Sequence, residues 1–399
     1  MDDISVLVCD DSALMRNLIS RIIENTPGLF VAGRAMNGQF AVEKIPLVHP
    51  DVIVLDIEMP VMTGIEFLKW RKANHVDIPV VILSSIAERG AAVTMQCLEL
   101  GASDFITKPN GSESSDISSV AARLVELLSS YGGKYARAHG KVVYSEDFFV
   151  QLAEEREAQQ KKHEDTATKL SLEQCAHTEH AASKPTFEFI TRPHKDPAVI
   201  TPLRDGGRIE VIAIGISTGG PNALREVFKN IDPHIKQPIL VVQHMPAGFT
   251  AEFANSLDHI CALDVKEAED GDLVKSGRIL IAPGNFHIYV EEEALAPVIR
   301  LSQSELQNGH RPSADVLFQS VAKVYQNRAL GVIMTGMGCD GAKQLAEMRR
   351  QGAWTLGQDE ESAVVYGMPK VAYELGAVQK QVSLAVMADT ISELAREHC

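Results

Sequence analysis

Short apolar runs, each closed by a carboxylate, a serine, a glycine or a proline and mostly followed by an amphipathic stretch, recur along this chain and constrain its fold more than any other feature. That alternation is the pattern of a parallel sheet with helical crossovers, an α/β architecture. In the first part the runs are Ile4 to Cys9, Phe30 to Ala32, Val52 to Leu55, Val80 to Leu83 and Phe105-Ile106. Between the first two, Leu14, Leu18 and Ile22 with Ile19 and Ile23 recur at helical spacing, and Gly28 follows where a left-handed helix cap is expected. The runs Val211 to Ile214, Ile239 to Val242, Ile279 to Ala282 and Leu330 to Met334 predict a second α/β sheet. An antiparallel pair, His287 to Val290 with Pro297 to Leu301, is expected around an acidic turn.

The two sets of runs are separated by a different kind of sequence. From about 132 to 207 the composition shifts to Glu, Gln, Lys, His and Ala, and between Ala153 and Thr168 alanine is the only apolar residue. Such a stretch cannot bury enough surface to offset its ordering entropy, so it reads as a charged flexible linker. The predicted domains are therefore 1–131, the linker 132–207, and 208–399. The last helix of the first domain is expected from Ser114 to Ser130, and a short helix carrying Phe148, Phe149 and Leu152 is marginal on its own. As flexible coil, about 75 residues would span roughly 45 to 50 Å, enough for the domains to dock or separate.

A net charge of -15 opposes nonspecific binding to nucleic acid or to an anionic membrane surface. A DNA-binding regulator would need a basic recognition element, and the acidic chain argues against one. No apolar run is long enough to span a bilayer and the start lacks a signal-peptide pattern, so a cytoplasmic protein without membrane insertion is expected. The cysteines Cys9, Cys97, Cys175, Cys261, Cys339 and Cys399 show no C-x-x-C and read as reduced. Cys175-x-His-x-x-His in the linker reads as solvated tail rather than as a metal site.

Ligands of open α/β sheets bind beyond the carboxyl ends of the strands. There the first domain carries Asp10 and Asp11 after its first run, Asp56 after the third, Ser84 after the fourth and Lys108 after the fifth. Three carboxylates in one pocket repel one another unless a cation sits among them, and hard oxygen ligands suit Mg²⁺. With that charge shielded, one carboxylate can attack a phosphoryl donor while a lysine and a hydroxyl steady the phosphoryl oxygens. V-L-V-C-D-D-S, V-L-D-I-E-M-P-V-M-T-G, I-L-S-S and T-K-P resemble the response-regulator receiver family over nearly all of residues 1–130, which implies a flavodoxin-like doubly wound fold. The resemblance implies Asp56 as phosphoacceptor; Asp10, Asp11, Asp56 and the backbone of Glu58 as the Mg²⁺ site; Ser84 and Lys108 as switch residues; Phe105 as an aromatic switch; and a sensor histidine kinase as donor.

In the second domain Gly215-Ile216-Ser217-Thr218-Gly219 satisfies G-x-S-x-G between a strand and a helix, the setting of a nucleophile elbow. A glycine-rich turn before a helix can equally cradle a phosphate, although this one lacks the Walker ending. His244 ends the next strand, on the same sheet edge, and is singled out by position among 13 histidines; His287 is its rival but falls inside a strand. Asp340 follows a later strand within Gly336-Met337-Gly338-Cys339-Asp340-Gly341, where it reads either as a helix cap or as the third member of a Ser, His, Asp triad. The order Ser, His, Asp differs from that of α/β-hydrolases. With Q-H-M-P, A-P-G-N-F-H, H-R-P-S-A-D and M-T-G-M-G-x-D-G-A it resembles the chemotaxis protein-glutamate methylesterase family over residues 208 to about 390.

That resemblance implies a Rossmann-like serine hydrolase that removes methyl esters from glutamates on the cytoplasmic helices of chemoreceptors, that also deamidates receptor glutamines, and that needs no cofactor in this domain. Thr218 and the Met337 amide are expected to support the oxyanion, and Arg311 has no assigned role. A linker longer than the family's usual connection sets receiver docking on the catalytic face against a separated arrangement. A catalytically silent receptor-binding regulator is the alternative to an enzyme.

Overall fold

In the computed structural model, which describes residues 1–84, 88–108, 114–145, 148–149, 151–152 and 197–399, both halves are doubly wound α/β units. The first sheet comprises β1 (Ile4–Cys9), β2 (Leu29–Ala35), β3 (Val52–Asp56), β4 (Val80–Ser84) and β5 (Asp104–Thr107), all parallel, in the order β2-β1-β3-β4-β5. Residues of β1, β3 and β4 are buried on both faces, which is why they read as continuous apolar runs rather than as alternation. The helix Ala13–Glu24 is capped by Ser12, whose hydroxyl accepts from the Met15 amide. Gly28 is left-handed, as expected, but it stands beyond the helix end, where a Cβ would meet the Tyr144 ring at 2.8 Å.

That contact exposes a correction to the first domain boundary. The helix Ser114–Leu127 does not stop near 130; it passes through a wide turn, Leu128–Gly132, into the helix Gly133–Ala138. A Cβ on Gly132 would lie 2.6 Å from Ile4 Cγ2 and 3.0 Å from Val52 Cγ1, so the glycine is what lets this turn rest on the sheet. Lys141 Nζ then pairs with Asp51 at 2.7 Å, Val143 bridges Asp2, and Phe149 is buried in the same core. Residues 132–145 thus pack on the first domain instead of forming coil. The stretch 153–196, the bulk of the expected linker, lies outside the described residues. On its far side Ala198, Leu203 and Gly207 donate backbone hydrogen bonds to Glu374, Arg350 and Asn327, so this end lies along the second domain.

The second sheet contains β6 (Val211–Ile216), β7 (Ile239–Gln243), β8 (Asp264–Glu267), β9 (Arg278–Ile281), β12 (Ala329–Ile333), β13 (Trp354–Gln358) and β14 (Lys380–Val382). Its order is β14-β13-β12-β6-β7-β9-β8, with every pairing parallel. The antiparallel pair β10 (His287–Glu292) and β11 (Pro297–Ser302) stands apart as expected. The outer strands β8, β13 and β14 were missed because they are short or carry polar residues. Hydrophobic packing does not end at the domain boundary. The Phe105 and Phe249 rings stack at 4.8 Å and 20°, joining the two domains in one contiguous buried cluster. Among the described residues no helix is long and apolar enough to cross a membrane.

Candidate active site and phosphoacceptor site

The strand order places β6 between β12 and β7, so the residues that leave these three neighbouring strands converge at one sheet edge. Ser217 follows β6, and its turn reaches the helix Gly220–Asn230 through Gly219 at φ 79°, a conformation that L side chains rarely adopt. His244 follows β7 and donates its own amide to the Ile216 carbonyl. Asp340 lies in the loop after β12. His244 Nδ1 is 3.1 Å from Ser217 Oγ and His244 Nε2 is 2.9 Å from Asp340 Oδ2. Because a carboxylate only accepts, Nε2 carries the proton and Nδ1 is left to accept from the serine hydroxyl.

Each member is held by its surroundings. Burial pushes the Asp340 carboxyl up. Hydrogen bonds and charge from His244, with hydrogen bonds from Ser313 and Asn308, outweigh it and hold the group well below the usual carboxylate range. Ser313 Oγ and Asn308 Nδ2 donate to Oδ1 at 2.6 and 2.8 Å, and the Ala314 amide donates to Oδ2 at 2.6 Å. Gln243 Nε2 donates to the backbone carbonyls of both Ser217 and His244 at 3.0 Å, tying nucleophile to base. Thr335 Oγ1 donates to the Thr218 carbonyl at 2.9 Å. The His310 ring stacks on His244 at 3.9 Å and 14°; burial, then the charge of His244, push its pKa down to about 4, so it is neutral at neutral pH.

Gln243, Ser313 and His310 lie inside motifs already noted in the sequence, Q-H-M-P and H-R-P-S-A-D, but their roles are visible only as contacts. Asn308 had no sequence signal. His287 is fully buried on β10 and its Nε2 donates to the Glu305 carbonyl, away from the triad. Arg311 anchors its loop, donating to Asn285 Oδ1 and to the carbonyls of Gln303 and Ser304. Met337 follows Gly336, on which a Cβ would stand 2.7 Å from Ser217 Cβ, so this loop lies against the nucleophile.

The cavity in front of Ser217 and His244 measures about 420 Å³, and one of its walls belongs to the first domain: Asp104, Phe105, Arg123 and Glu126. The two domains are therefore docked across the catalytic face. The Thr218 hydroxyl donates to Glu126 and accepts from Arg123. The Gly219 amide donates to Asp104 Oδ2 at 3.0 Å, and Asn222 Nδ2 donates to the carbonyls of Ala102 and Ser103 at 2.9 Å. Burial raises the Asp104 pKa above the ordinary carboxyl value, against the charge of Arg123.

At the carboxyl ends of β1 and β3, ligand oxygens of Asp10, Asp11 and Asp56 lie within 4.8 Å of one another. Lys108 Nζ stands 2.7 Å from Asp56 Oδ1 and 3.2 Å from Asp10 Oδ2, an atom that is buried and takes no hydrogen bond. Burial raises the Asp56 pKa, and Lys108 opposes the rise. Glu58 lies on the exposed loop two residues beyond Asp56. Ser84 Oγ is 2.6 Å from Thr94 Oγ1. Phe105, expected as an aromatic switch, spends its ring on the second domain.

Comparison with known proteins covers both halves. Residues 212–391 match the family model described as CheB methylesterase, and residues 6–116 match the response regulator receiver domain. The chain is 53% identical over 397 residues to the protein-glutamate methylesterase/protein-glutamine glutaminase of Treponema denticola, covering 100% of both chains. It is 51% identical to the protein of the same description from Treponema pallidum, over 99% of this chain and 98% of that one. Among solved structures, the Thermotoga maritima CheB methylesterase catalytic domain is 38% identical, with a TM-score of 0.46, over 47% of this chain and 99% of that one.

Proposed function

The chain belongs to the protein-glutamate methylesterase/protein-glutamine glutaminase family, and from that premise we propose that Ser217, His244 and Asp340 are its catalytic triad, gated by phosphorylation of Asp56. It is a receiver-regulated carboxylic ester hydrolase that also acts as a deamidase. The observation that carries the residue assignment is the hydrogen-bonded line from Ser217 Oγ through the His244 ring to Asp340.

Ser217 Oγ attacks the glutamyl carbonyl while His244 Nδ1 takes its proton, and Asp340 stabilises the imidazolium through Nε2–H. His244 returns the proton to the departing methoxide, releasing methanol, and then activates water against the acyl-enzyme. A glutamine follows the same path with ammonia as the leaving group. The Met337 amide and Thr218 are the oxyanion donors on this reading. The substrates are methylated helices of chemoreceptors, and a sensor histidine kinase supplies the phosphoryl group.

In the receiver, Asp10, Asp11, Asp56 and the Glu58 backbone would hold Mg²⁺. The buried Asp10 Oδ2, which takes no hydrogen bond and faces the Lys108 ammonium at 3.2 Å, and the three clustered carboxylates fit a hard cation. When bound, the ion neutralises the carboxylates and the incoming phosphoryl oxygens. Lys108 steadies the same oxygens, and Ser84 reports the new charge to the docked face around Phe105. That face walls the cavity in front of Ser217 in the closed chain, so its movement opens the way to the nucleophile.

The decisive experiment is methanol release from a methylated receptor fragment with and without a phosphoryl donor. Activity should rise on phosphorylation and vanish in Ser217→Ala. Equal activity with and without the donor would remove Asp56 as the gate, and a fully active Ser217→Ala would remove the triad.

A further inference from the structure

The two donors that follow Ser217 along the chain are both taken by carboxylates of the receiver. Thr218 Oγ1 donates to Glu126 Oε1 and the Gly219 amide donates to Asp104 Oδ2. Glu126 sits in the last turn of the helix Ser114–Leu127, and its side chain is 11% exposed and lines the same cavity as Ser217 and His244. Arg123, one turn earlier, donates to Glu126 and to Thr218 Oγ1, so the buried carboxylate has both a cation and a hydroxyl to satisfy it. A carboxylate carried on a helix and held beside the nucleophile has a chemical counterpart in the reaction. Hydrolysis of a helix-borne glutamyl ester leaves a helix-borne glutamate at that place.

We propose that the Thr218 hydroxyl and the Gly219 amide form a subsite for the glutamate carboxylate produced by the reaction, and that two receiver carboxylates occupy it in the closed chain, Asp104 at the amide and Glu126 at the hydroxyl as a built-in product mimic. The proposal rests on the methylesterase reading above and names what that site binds after turnover. A neutral ester gains less than an anion from these donors, so the subsite favours product over substrate. Receiver and demethylated helix then compete for one position, and inhibition by either excludes the other. A contact that served only to hold the domains together would give the Thr218 hydroxyl no part in product affinity once the receiver has moved away.

The test uses the full chain and a fluorescently tagged receptor cytoplasmic fragment in its glutamate form, its affinity read by anisotropy so that inactive variants still report. With the chain phosphorylated by acetyl phosphate, Thr218→Val should weaken binding about tenfold, the loss of one hydrogen bond to an anion, and Thr218→Ser should restore it. In the unphosphorylated chain Glu126→Ala should tighten binding about tenfold, an effect that shrinks below twofold after phosphorylation. Wild-type affinity in phosphorylated Thr218→Val, or no tightening in unphosphorylated Glu126→Ala, overturns the proposal. Absence of methanol release from the methylated fragment by the wild-type chain would instead overturn the parent reading, so the two failures are distinguishable.

Discussion

Replacing Asp340 by asparagine removes one charge from the site while keeping its shape, and the structure determines which way the amide must face. Asp340 accepts on both oxygens: Oδ2 from the Ala314 amide at 2.6 Å and His244 Nε2 at 2.9 Å, Oδ1 from Ser313 Oγ and Asn308 Nδ2. A backbone N–H cannot become an acceptor, so an NH₂ group in the Oδ2 position would oppose the Ala314 amide. In the Oδ1 position it meets a hydroxyl that can rotate and the Asn308 side chain, which can flip at the expense of its 2.7 Å hydrogen bond to Asp315 Oδ2, with the Asp315 amide, at 3.4 Å, in weaker conflict. The introduced asparagine therefore keeps its carbonyl toward His244, and the imidazole keeps the proton on Nε2.

What is lost is the negative charge opposite the imidazolium. The difference between a charged and a neutral hydrogen bond is about 1 to 2 kcal/mol in the transition state, or roughly 5- to 30-fold in kcat. A substitution that inverts the tautomer would cost on the order of 10⁴-fold. Methanol release by phosphorylated Asp340→Asn at saturating substrate distinguishes these. A fall near 10⁴-fold would mean that the amide presents its NH₂ to His244 and would refute the argument from the Ala314 donor.

Other expectations follow from the same contacts. Phe105→Leu keeps apolar bulk but loses the stack on Phe249, worth about 0.5 to 1.5 kcal/mol, so unphosphorylated activity should rise roughly two- to twelvefold while phosphorylated activity stays level. Asp56→Asn should abolish the response of methanol release to a phosphoryl donor; a retained response would place the acceptor elsewhere. The buried Asp104, flanked by Arg123, Glu126 and Tyr131, has its pKa raised when docked, so the docked form takes up a proton more readily than the separated one. Docking is then strongest below the ordinary carboxyl range and weakens as pH rises through the raised pKa, and the ratio of unphosphorylated to phosphorylated activity should climb over that window. Gly132→Ala forces a Cβ against Ile4 and Val52 and should destabilise the receiver by about 1 to 3 kcal/mol, read as a lower Tm.

The chain's own alternation of apolar runs and polar breaks determined the α/β class and the strands that matter. The reason is that strands buried on both faces must be apolar throughout, as in Ile4–Cys9 and Val211–Ile216. Once parallel strands are granted, residues just beyond their carboxyl ends share one edge, which made Asp10, Asp56 and Lys108 legible as one group and Ser217, His244 and Asp340 as another. Composition misled at 132–145, because local polarity does not register that Gly132 leaves room for a turn to lie on β1 and β3.

Tertiary structure alone decided the rest. Only the order β12-β6-β7 makes the three catalytic strands neighbours. Only the placement of the Ala314 amide and His244 Nε2 around one oxygen fixes the tautomer. The meeting of Glu126 with Thr218 joins residues 92 positions apart in the chain. A sequence specifies local periodicity and residue chemistry, whereas which distant groups share a buried space depends on packing two domains together.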